Sequence, residues 1–244
     1  SHVVTLITTK THNVMRYEPS MTPADLFNAD HYVDVRRPLV EASTLPSWCY
    51  TDPSFYQREV EQIFLKHWNF AGRVDQLSNS GDFMTLDFFG ESVILVRGKD
   101  NVIRAFANVC RHRSARLLEG EGNCRTIVCP YHSWVYGLDG SLLRMKGMEE
   151  TRNFNPEENS LRELRTEMWA GFIFVTFSSD VSPLDEYLGD LPDHFKPYQF
   201  SAMKCVRQKR YDLECNWKLY IENAMEDYHT ATIHRVSIGN QDCV

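Results

Sequence analysis

The spacing of hydrophobic residues changes along the chain and divides it into segments. Residues 1–50 show weak periodicity and many turn-forming residues, which predicts an extended N-terminal arm. In TDPSFYQREVEQIFLKHW (51–68) apolar residues recur at close to helical spacing, and Asp52 followed by Pro53 is typical of a capped start. This pattern predicts a helix that leads into the next segment.

Short runs of strand character, separated by turns, occupy residues 69–177. The clearest are FMTLDFFG, SVILVRG, VIRAFANVC, RTIVCPYHSWVYGLDGSLL and MWAGFIFVTF, and GKDN and GLDG have the composition of hairpin turns. Many short strands at this spacing predict a small β-sandwich or barrel. Residues 149–167 are polar, and we expect a long surface connection there.

The pattern changes again after residue 178. SPLDEYLGDLP predicts a short helix, KCVRQKRYDLECNW a strand, and WKLYIENAMEDYH a helix. The predicted fold class is therefore α+β, with an all-β domain followed by the start of an α+β domain. We place the arm at 1–50, the β domain with its leading helix at 51–180, and the beginning of the last domain at 181–244.

Composition narrows the classes of function. The chain has 244 residues, of which 43% are hydrophobic and 24% charged, as is usual for globular proteins, and its net charge of −7 argues against nucleic acid as a main partner. The sequence contains neither a signal-peptide pattern nor an apolar run near the roughly 20 residues that span a bilayer. Seven scattered cysteines favour metal ligation in a reducing cytoplasm over a disulfide framework.

Four residues of metal-ligating type form two tight pairs in the strand-rich segment. Cys110 and His112 have C-x-H spacing, Cys129 and His132 have C-x-x-H spacing, and 16 residues separate the pairs. Three interpretations are open: residues without a metal, a structural zinc ion bound by two Cys and two His, or a Rieske [2Fe–2S] cluster. In that cluster two Cys bind one iron and two His bind the other, so one Cys and one His from each loop favours it.

The stretches CRHRSARLL and CPYHSWVYGLDGSL resemble the Rieske domain of Rieske non-heme iron oxygenases, and the resemblance covers about residues 45–178 in texture. It implies that the four residues above are the cluster ligands. Respiratory Rieske proteins carry a disulfide between the two loops. The matching positions here are Ala115 and Tyr131, which places the chain with the oxygenase and ferredoxin branch.

Four arginines lie in or near the same loops of an otherwise acidic chain: Arg111, Arg113, Arg116 and Arg125. They have two interpretations of similar weight. One is ordinary solvated surface residues. The other is a docking patch that steers an acidic reductase or ferredoxin to the cluster.

A second group of ligand-type residues lies in ENAMEDYHTATIH (222–234). On a helix, residues three apart share a face, so Glu226 and His229 would be adjacent, and His234 follows after four intervening residues. Two histidines and a carboxylate form the facial triad of non-heme Fe(II) oxygenases, which leaves positions open for O₂ and substrate. A helical histidine is more often a partly buried polar residue, so the spacing alone leaves both interpretations open.

The wider stretch NWKLYIENAMEDYHTATIH resembles the catalytic-domain motif N-x-x-(Asp/Glu)-x-x-H-x₄-H of the same oxygenases. The resemblance implies a helix-grip α+β catalytic domain in which His229 and His234 bind a mononuclear iron. In the family, Glu226 corresponds to the carboxylate that bridges the cluster of one subunit to the iron of its neighbour, and Asn223 corresponds to a residue behind the ligands. The spacing also permits Glu226 as the third ligand, but in the family that ligand lies far downstream. Asp242 is the only carboxylate side chain after His234, and nothing else marks it as a ligand. We therefore expect that the chain is truncated relative to its family and that the third ligand lies outside it.

The resemblance implies the terminal oxygenase component of an oxidoreductase. An NAD(P)H-dependent flavin or ferredoxin reductase would supply electrons to a [2Fe–2S] cluster, and a mononuclear Fe(II) would activate O₂ to hydroxylate a small organic substrate. Most aromatic-ring dioxygenases carry Asp at the bridge, and Glu226 resembles the branch that oxidises carnitine, choline or betaines. We expect a homotrimer, because electron transfer across a subunit boundary implies head-to-tail contacts, which close into rings. We also expect a cytoplasmic location and neither nucleic-acid nor membrane partners.

Three alternatives remain open. The chain could be the α subunit of an aromatic-ring dioxygenase, an electron carrier similar to Rieske ferredoxins without oxygen chemistry, or a cluster-free binding module.

Overall fold

The computed structural model describes residues 3–9, 23–148 and 150–237. Within these ranges the strands are β1 Val3–Thr9, β2 Asn69–Arg73, β3 Asp82–Phe88, β4 Glu91–Arg97, β5 Ile103–Ala107, β6 Glu121–Asn123, β7 Ile127–Val128, β8 Val135–Tyr136, β9 Leu142–Arg144, β10 Glu163–Trp169, β11 Phe172–Thr176 and β12 Arg207–Leu213. The α-helices are α1 Pro23–Leu26, α2 Trp48–Thr51, α3 Pro53–Glu59, α4 Leu184–Leu188, α5 Leu191–Phe195, α6 Trp217–Met225 and α7 Thr230–Ile233. Short 3₁₀ helices cover Ala29–Tyr32, Asp34–Arg36, Val74–Gln76, Glu157–Asn159, Lys196–Tyr198 and Phe200–Ala202, and a π-helical turn covers Val60–Phe64.

The chain forms two compact units. Val60–Val206 is one, and the described residues up to Glu59 together with those from Arg207 onward form the other. The domain boundaries predicted near residues 50 and 180 stay a prediction.

Two antiparallel sheets build the Val60–Val206 unit. The larger sheet has the strand order β2-β11-β10-β5-β4-β3-β6, and the smaller has the order β7-β8-β9. Every strand run predicted from the sequence in residues 69–177 overlaps at least one of these strands. Both predicted hairpin turns connect neighbouring strands. The all-β character expected for this part of the chain is therefore confirmed.

The inner strand β4 of the larger sheet shows why this unit needs both sheets. Val93, Ile94, Leu95 and Val96 are all fully buried, which requires cover on both faces because successive side chains of a strand point in opposite directions. Ile94 and Val96 belong to one hydrophobic cluster, which also contains both cysteines of the predicted cluster loops. Val93 and Leu95 belong to a second cluster on the other face. The predicted metal loops therefore extend from the core itself.

Strand β10 corrects the expected surface connection over residues 149–167. It begins at Glu163 and pairs antiparallel with both β11 and β5. The strand is difficult to recognise in the sequence because many of its residues are charged. Glu163, Arg165 and Glu167 lie at every second position on one side of the strand, and Leu164 is buried on the other side. The charges are partly satisfied within the strand, since Arg165 Nη2 donates to Glu167 Oε1 over 2.6 Å.

The helix predicted over residues 51–68 is present with a change in its second half. α3 begins at Pro53, and Asp52 Oδ1 accepts from the backbone N–H groups of Ser54 (2.8 Å) and Phe55 (3.2 Å), as expected for a cap. After Glu59 the helix continues as the π-helical turn. In the described parts of the chain, no helix is long and apolar enough to cross a membrane.

The other unit contains the predicted strand and helix of the C-terminal segment. β12 pairs in parallel with β1, and α6 follows after a short connection. Asn216 caps α6, because its side chain accepts from the backbone N–H of Lys218 over 3.0 Å. Helix α6 belongs to the α part of the α+β fold.

Candidate metal centres

The first predicted metal loop follows β5 and is folded by its own backbone hydrogen bonds. The N–H of Cys110 donates to the carbonyl of Ala115 over 2.8 Å, and the N–H of Ser114 donates to the carbonyl of Cys110 over 3.0 Å. Ser114 has a φ of 55°, in the left-handed region that costs a non-glycine residue about 1 kcal/mol. The hydrogen bonds hold this conformation and bury Cys110 under the loop.

The second loop, after β7, repeats the first. The N–H of Cys129 donates to the carbonyl of Trp134 over 2.8 Å, and the N–H of Ser133 donates to the carbonyl of Cys129 over 3.0 Å. Ser133 has a φ of 58°, almost the same as its counterpart. Two loops with one pattern therefore each present one buried cysteine, which is what the paired C-x-H and C-x-x-H spacing predicts.

The two loops bring their histidines together. The ring centroids of His112 and His132 lie 4.7 Å apart at an angle of 69°, and Trp134 stacks on His112 at 4.7 Å. The Nδ1 atoms of both histidines are buried and have no hydrogen-bond partner. Two orphaned buried nitrogens side by side are costly unless something binds them, so this geometry fits a site that receives metal.

Electrostatics favour the form of His112 that can coordinate a metal. Burial, and then the nearby His132 and Arg113, lower the pKa of His112. A lowered pKa keeps the imidazole neutral at pH 7, and only the neutral ring offers a free lone pair. The side chain is therefore ready to act as a ligand.

Tyr136 on β8 lies beneath the first cysteine and is fully buried. Its hydroxyl accepts from the backbone N–H of Arg111 over 3.1 Å and lies 3.3 Å from Cys110 Sγ. Because the backbone N–H can only donate, the hydroxyl proton remains available for the sulfur. Burial and the contact with Cys110 raise the pKa of Tyr136, so it stays protonated and donates. Tyr136 was not among the residues predicted for this site, although Trp134 and Tyr136 alternate after His132 in a pattern typical of a buried strand.

The donor set fits a two-iron cluster better than a single ion. Each loop offers one sulfur and one nitrogen donor. Each iron of a Rieske cluster takes two donors from the protein, whereas a tetrahedral zinc ion takes four. The six cysteines of the described residues are all free thiols.

The second predicted site lies in the turn between α6 and α7 and corrects one detail. The sequence predicts Glu226 and His229 on one helix, but α6 ends at Met225 and Glu226 is extended. The carboxylate of Glu226 causes this break, because it accepts from the backbone N–H of His229 over 3.2 Å and contacts its Nδ1 in a second hydrogen bond. Glu226 and His229 therefore still meet, through a turn and not through a helical face.

This contact leaves His229 Nε2 available. A histidine whose Nδ1 is hydrogen-bonded to a carboxylate is oriented to bind a metal through its other nitrogen. The ring of His234 lies 5.3 Å from that of His229, at the end of α7. The structure thus brings Glu226, His229 and His234 together, while Asn223 is exposed on α6 and its side chain makes no hydrogen bond within the described residues. Asp242 lies outside the described residues.

Comparison with known proteins identifies both regions. Residues 67–155 match the family model of the Rieske [2Fe-2S] domain, and residues 200–242 match that of the ring hydroxylating alpha subunit (catalytic domain). Both matches are to parts of Rieske oxygenase α subunits, and the chain is similar to these proteins in both regions. The predicted fold, a Rieske β domain followed by the start of the catalytic domain, is confirmed.

Quaternary-ammonium monooxygenases are among the relatives, and their similarity extends over most of this chain. The chain is 34% identical to the choline monooxygenase of Beta vulgaris, over 91% of this chain and 51% of the relative. It is 34% identical to the carnitine monooxygenase oxygenase subunit of Escherichia coli (strain K12), over 80% of this chain and 53% of the relative. A crystal structure of a quaternary ammonium Rieske monooxygenase in complex with L-carnitine superposes with a TM-score of 0.78 at 31% identity, over 82% of this chain and 58% of that one. The chain thus spans about half the length of the curated relatives it matches.

Proposed function

We propose that this chain is part of the terminal oxygenase component of a monooxygenase that oxidises a quaternary ammonium compound. The observation that carries the proposal is the contact between the Glu226 carboxylate and His229, which orients one histidine of a two-histidine motif for metal binding. The substrate class is supported by Glu at this position and by the choline and carnitine relatives. Aromatic compounds are the alternative substrates.

The site residues then have separate roles. Cys110, His112, Cys129 and His132 would hold the [2Fe–2S] cluster, and His229 and His234 would hold the mononuclear iron together with a ligand outside the described residues. When bound, these groups supply one-electron transfer and O₂ activation, respectively. Tyr136 donates a hydrogen bond toward Cys110, which stabilises negative charge on that sulfur. Glu226 orients His229 and, by the family resemblance, lies at the junction with the cluster of a neighbouring subunit.

Partner recognition is proposed at the surface around the first loop. Arg111, Arg113 and Arg125 are exposed, and among the described residues none of the three has an ion-pair partner. Arg116 differs, because its Nη2 lies 2.9 Å from the Asp87 carboxylate. Three uncompensated cations in a chain of net charge −7 support a docking patch for an acidic, NAD(P)H-dependent reductase.

Assembly and location extend the proposal. A homotrimer is proposed because a bridge between the cluster of one subunit and the iron of the next requires head-to-tail contacts that close into a ring. A reducing compartment such as the cytoplasm is proposed because the described cysteines are free thiols.

The test is O₂ uptake and product analysis with the full-length protein, a Rieske oxygenase reductase and NADH. Carnitine, choline and glycine betaine would be compared with benzoate and naphthalene. We expect uptake coupled to an oxidised quaternary amine, and loss of coupling in His229→Ala with an unchanged visible spectrum of the cluster.

Coupled oxidation of an aromatic acid alone would instead assign the aromatic branch. Reduction of the cluster without substrate-dependent O₂ uptake, in a protein loaded with both metals, would assign an electron carrier. A colourless, iron-free protein after anaerobic reconstitution would refute both metal sites.

A further inference from the structure

The first turn of α6 contains a buried ion pair whose partners are far apart in the sequence. Lys218 is 8% exposed and Glu59, the last residue of α3, is 7% exposed. Lys218 Nζ lies 2.6 Å from Glu59 Oε1, and Trp217 Nε1 donates to Glu59 Oε2 over 3.0 Å. Both oxygens of one buried carboxylate are therefore bound to consecutive residues of the same helix.

Aromatic rings surround the ammonium group of Lys218. Its Nζ lies 5.3 Å from the ring centroids of Tyr50 and Phe55, and 5.4 Å from that of Trp217. Such distances allow cation–π attraction, which is strongest where water is excluded. The enclosure fixes the position of Lys218 more tightly than a single salt bridge would.

Tyr50 adds contacts before and after this ion pair. Its carbonyl accepts from Asn216 Nδ2 over 3.2 Å, just before the helix, and its hydroxyl donates to Glu222 Oε1 over 2.7 Å, one turn beyond Lys218. Burial and the contact with Glu222 raise the pKa of Tyr50 to about 12, so the hydroxyl keeps its proton. Residues of α2 and α3 thus hold α6 at two successive turns.

The rest of α6 has little apolar support within the described residues. Leu219, Tyr220 and Ile221 are each more than 40% exposed, and Met225 is 81% exposed. The contacts of Glu59 and Tyr50 with α6 are mostly polar and directional, so they define the orientation of the helix as well as its position. Lys218 and Glu226 are eight residues apart, or about 12 Å along a helix, so a tilt of about 10° at the first turn would move the metal motif by about 2 Å.

We propose that Glu59 is a positioning residue for the His229/His234 iron site and acts through Lys218 and α6. This inference rests on the proposed function, because it requires that the two histidines bind iron. Among the described residues, the side-chain hydrogen bonds of Glu59 go to Trp217 and Lys218 and not to the predicted iron ligands. Its effect is to fix the helix from which Glu226 and His229 extend.

The competing explanation is that the ion pair only stabilises the fold. Removing one partner of a buried pair leaves an uncompensated charge, which destabilises a protein whatever the role of the pair. Replacing both partners by neutral residues of similar size is often neutral for stability. The double variant Glu59→Gln/Lys218→Met therefore separates the two explanations, because it removes the ion pair, keeps an oxygen that can accept from Trp217 Nε1, and buries no lone charge.

The experiment measures Fe(II) affinity by chelator competition in the full-length protein, next to Tm and the visible spectrum of the cluster. We expect the double variant to keep the spectrum and to bind Fe(II) about tenfold or more weakly, as when supporting contacts of a metal ligand are lost. Tyr50→Phe, which removes only the hydroxyl bound to Glu222, should weaken Fe(II) binding about threefold. The control is Asp75→Asn in the other unit, where a carboxylate binds Arg73 and the N–H of Cys205. It should lower Tm without changing Fe(II) affinity.

Wild-type Fe(II) affinity in the double variant would overturn the inference. If the double variant does not fold, unchanged Fe(II) affinity in Tyr50→Phe would overturn it instead and leave the ion pair a stabilising role. No substrate is present in these measurements, so failure to oxidise quaternary amines affects only the proposed substrate. A wild-type protein that binds no Fe(II) through the two histidines would refute the proposed function itself.

Discussion

Removing the hydroxyl of Tyr136 should lower the reduction potential of the cluster. The hydroxyl lies 3.3 Å from Cys110 Sγ and accepts from the N–H of Arg111, so its own proton is directed to the sulfur. Reduction adds negative charge to the cluster and its thiolates, which strengthens any hydrogen bond donated to them. Tyr136→Phe removes this differential stabilisation and preserves the ring that fills the core.

The expected shift can be worked out from the strength of the bond. Hydrogen bonds to charged groups contribute about 1.5–3 kcal/mol, and only the part that differs between the two redox states affects the potential. If that part is about 1 kcal/mol, the one-electron potential falls by about 40 mV. The variant also leaves the N–H of Arg111 without its acceptor, which should cost about 1–3 kcal/mol of stability.

The assay is a redox titration at fixed pH, followed by the visible absorbance of the cluster. Tyr131→Phe is the matched control, since Tyr131 lies in the second loop, is 59% exposed, and has its ring against His132. It loses the same atom without losing a bond to a cysteine ligand. A shift below about 10 mV, or an equal shift in both variants, would refute the reasoning that a hydrogen bond to this sulfur tunes the potential.

The other predictions concern the two histidine sites and the arginine patch. Glu226→Gln keeps an oxygen that can accept from His229, so the full-length protein should retain Fe(II) while losing coupled turnover; retained turnover would remove Glu226 from electron transfer. His112→Cys replaces a neutral imidazole by an anionic thiolate and should lower the cluster potential in a redox titration, whereas an unchanged potential would show that His112 is not a ligand. Reversing the charges of Arg111 and Arg113 should slow stopped-flow reduction by the reductase and weaken its salt dependence, and no change in either quantity would make them ordinary surface residues.

The shape of the two predicted cluster loops follows from the sequence, because their backbone hydrogen bonds are local. Each loop closes through hydrogen bonds between residues four or five apart, so the spacing of Cys110 and Cys129 from their histidines carries the geometry. Strand β10 could not be predicted in the same way. Its residues alternate in charge on a partly exposed sheet face, and its pairing with β5 depends on residues far away in the chain.

The iron motif could be predicted only in part. The meeting of Glu226 and His229 follows from their spacing of three residues, but the end of α6 at Met225 depends on the Glu226 carboxylate binding a backbone N–H in competition with the helix. The Glu59–Lys218 ion pair at the start of that helix could not be predicted from the sequence. Glu59 and Lys218 lie 159 residues apart, and in the sequence each is an ordinary surface charge.

The two candidate metal sites therefore depend on the chain in different ways. All four predicted cluster ligands, the core beneath them and the hydroxyl of Tyr136 lie within the Val60–Val206 unit. The candidate iron motif lies in the other unit. The ion pair proposed to position it joins Glu59, which precedes residues 60–206 in the sequence, to Lys218, which follows them. In this chain, the carboxylate proposed to position the iron motif therefore precedes the Val60–Val206 unit in the sequence. A change near residue 59 should accordingly affect iron binding while leaving the cluster intact, although in the sequence it lies closer to the cluster loops than to the iron motif.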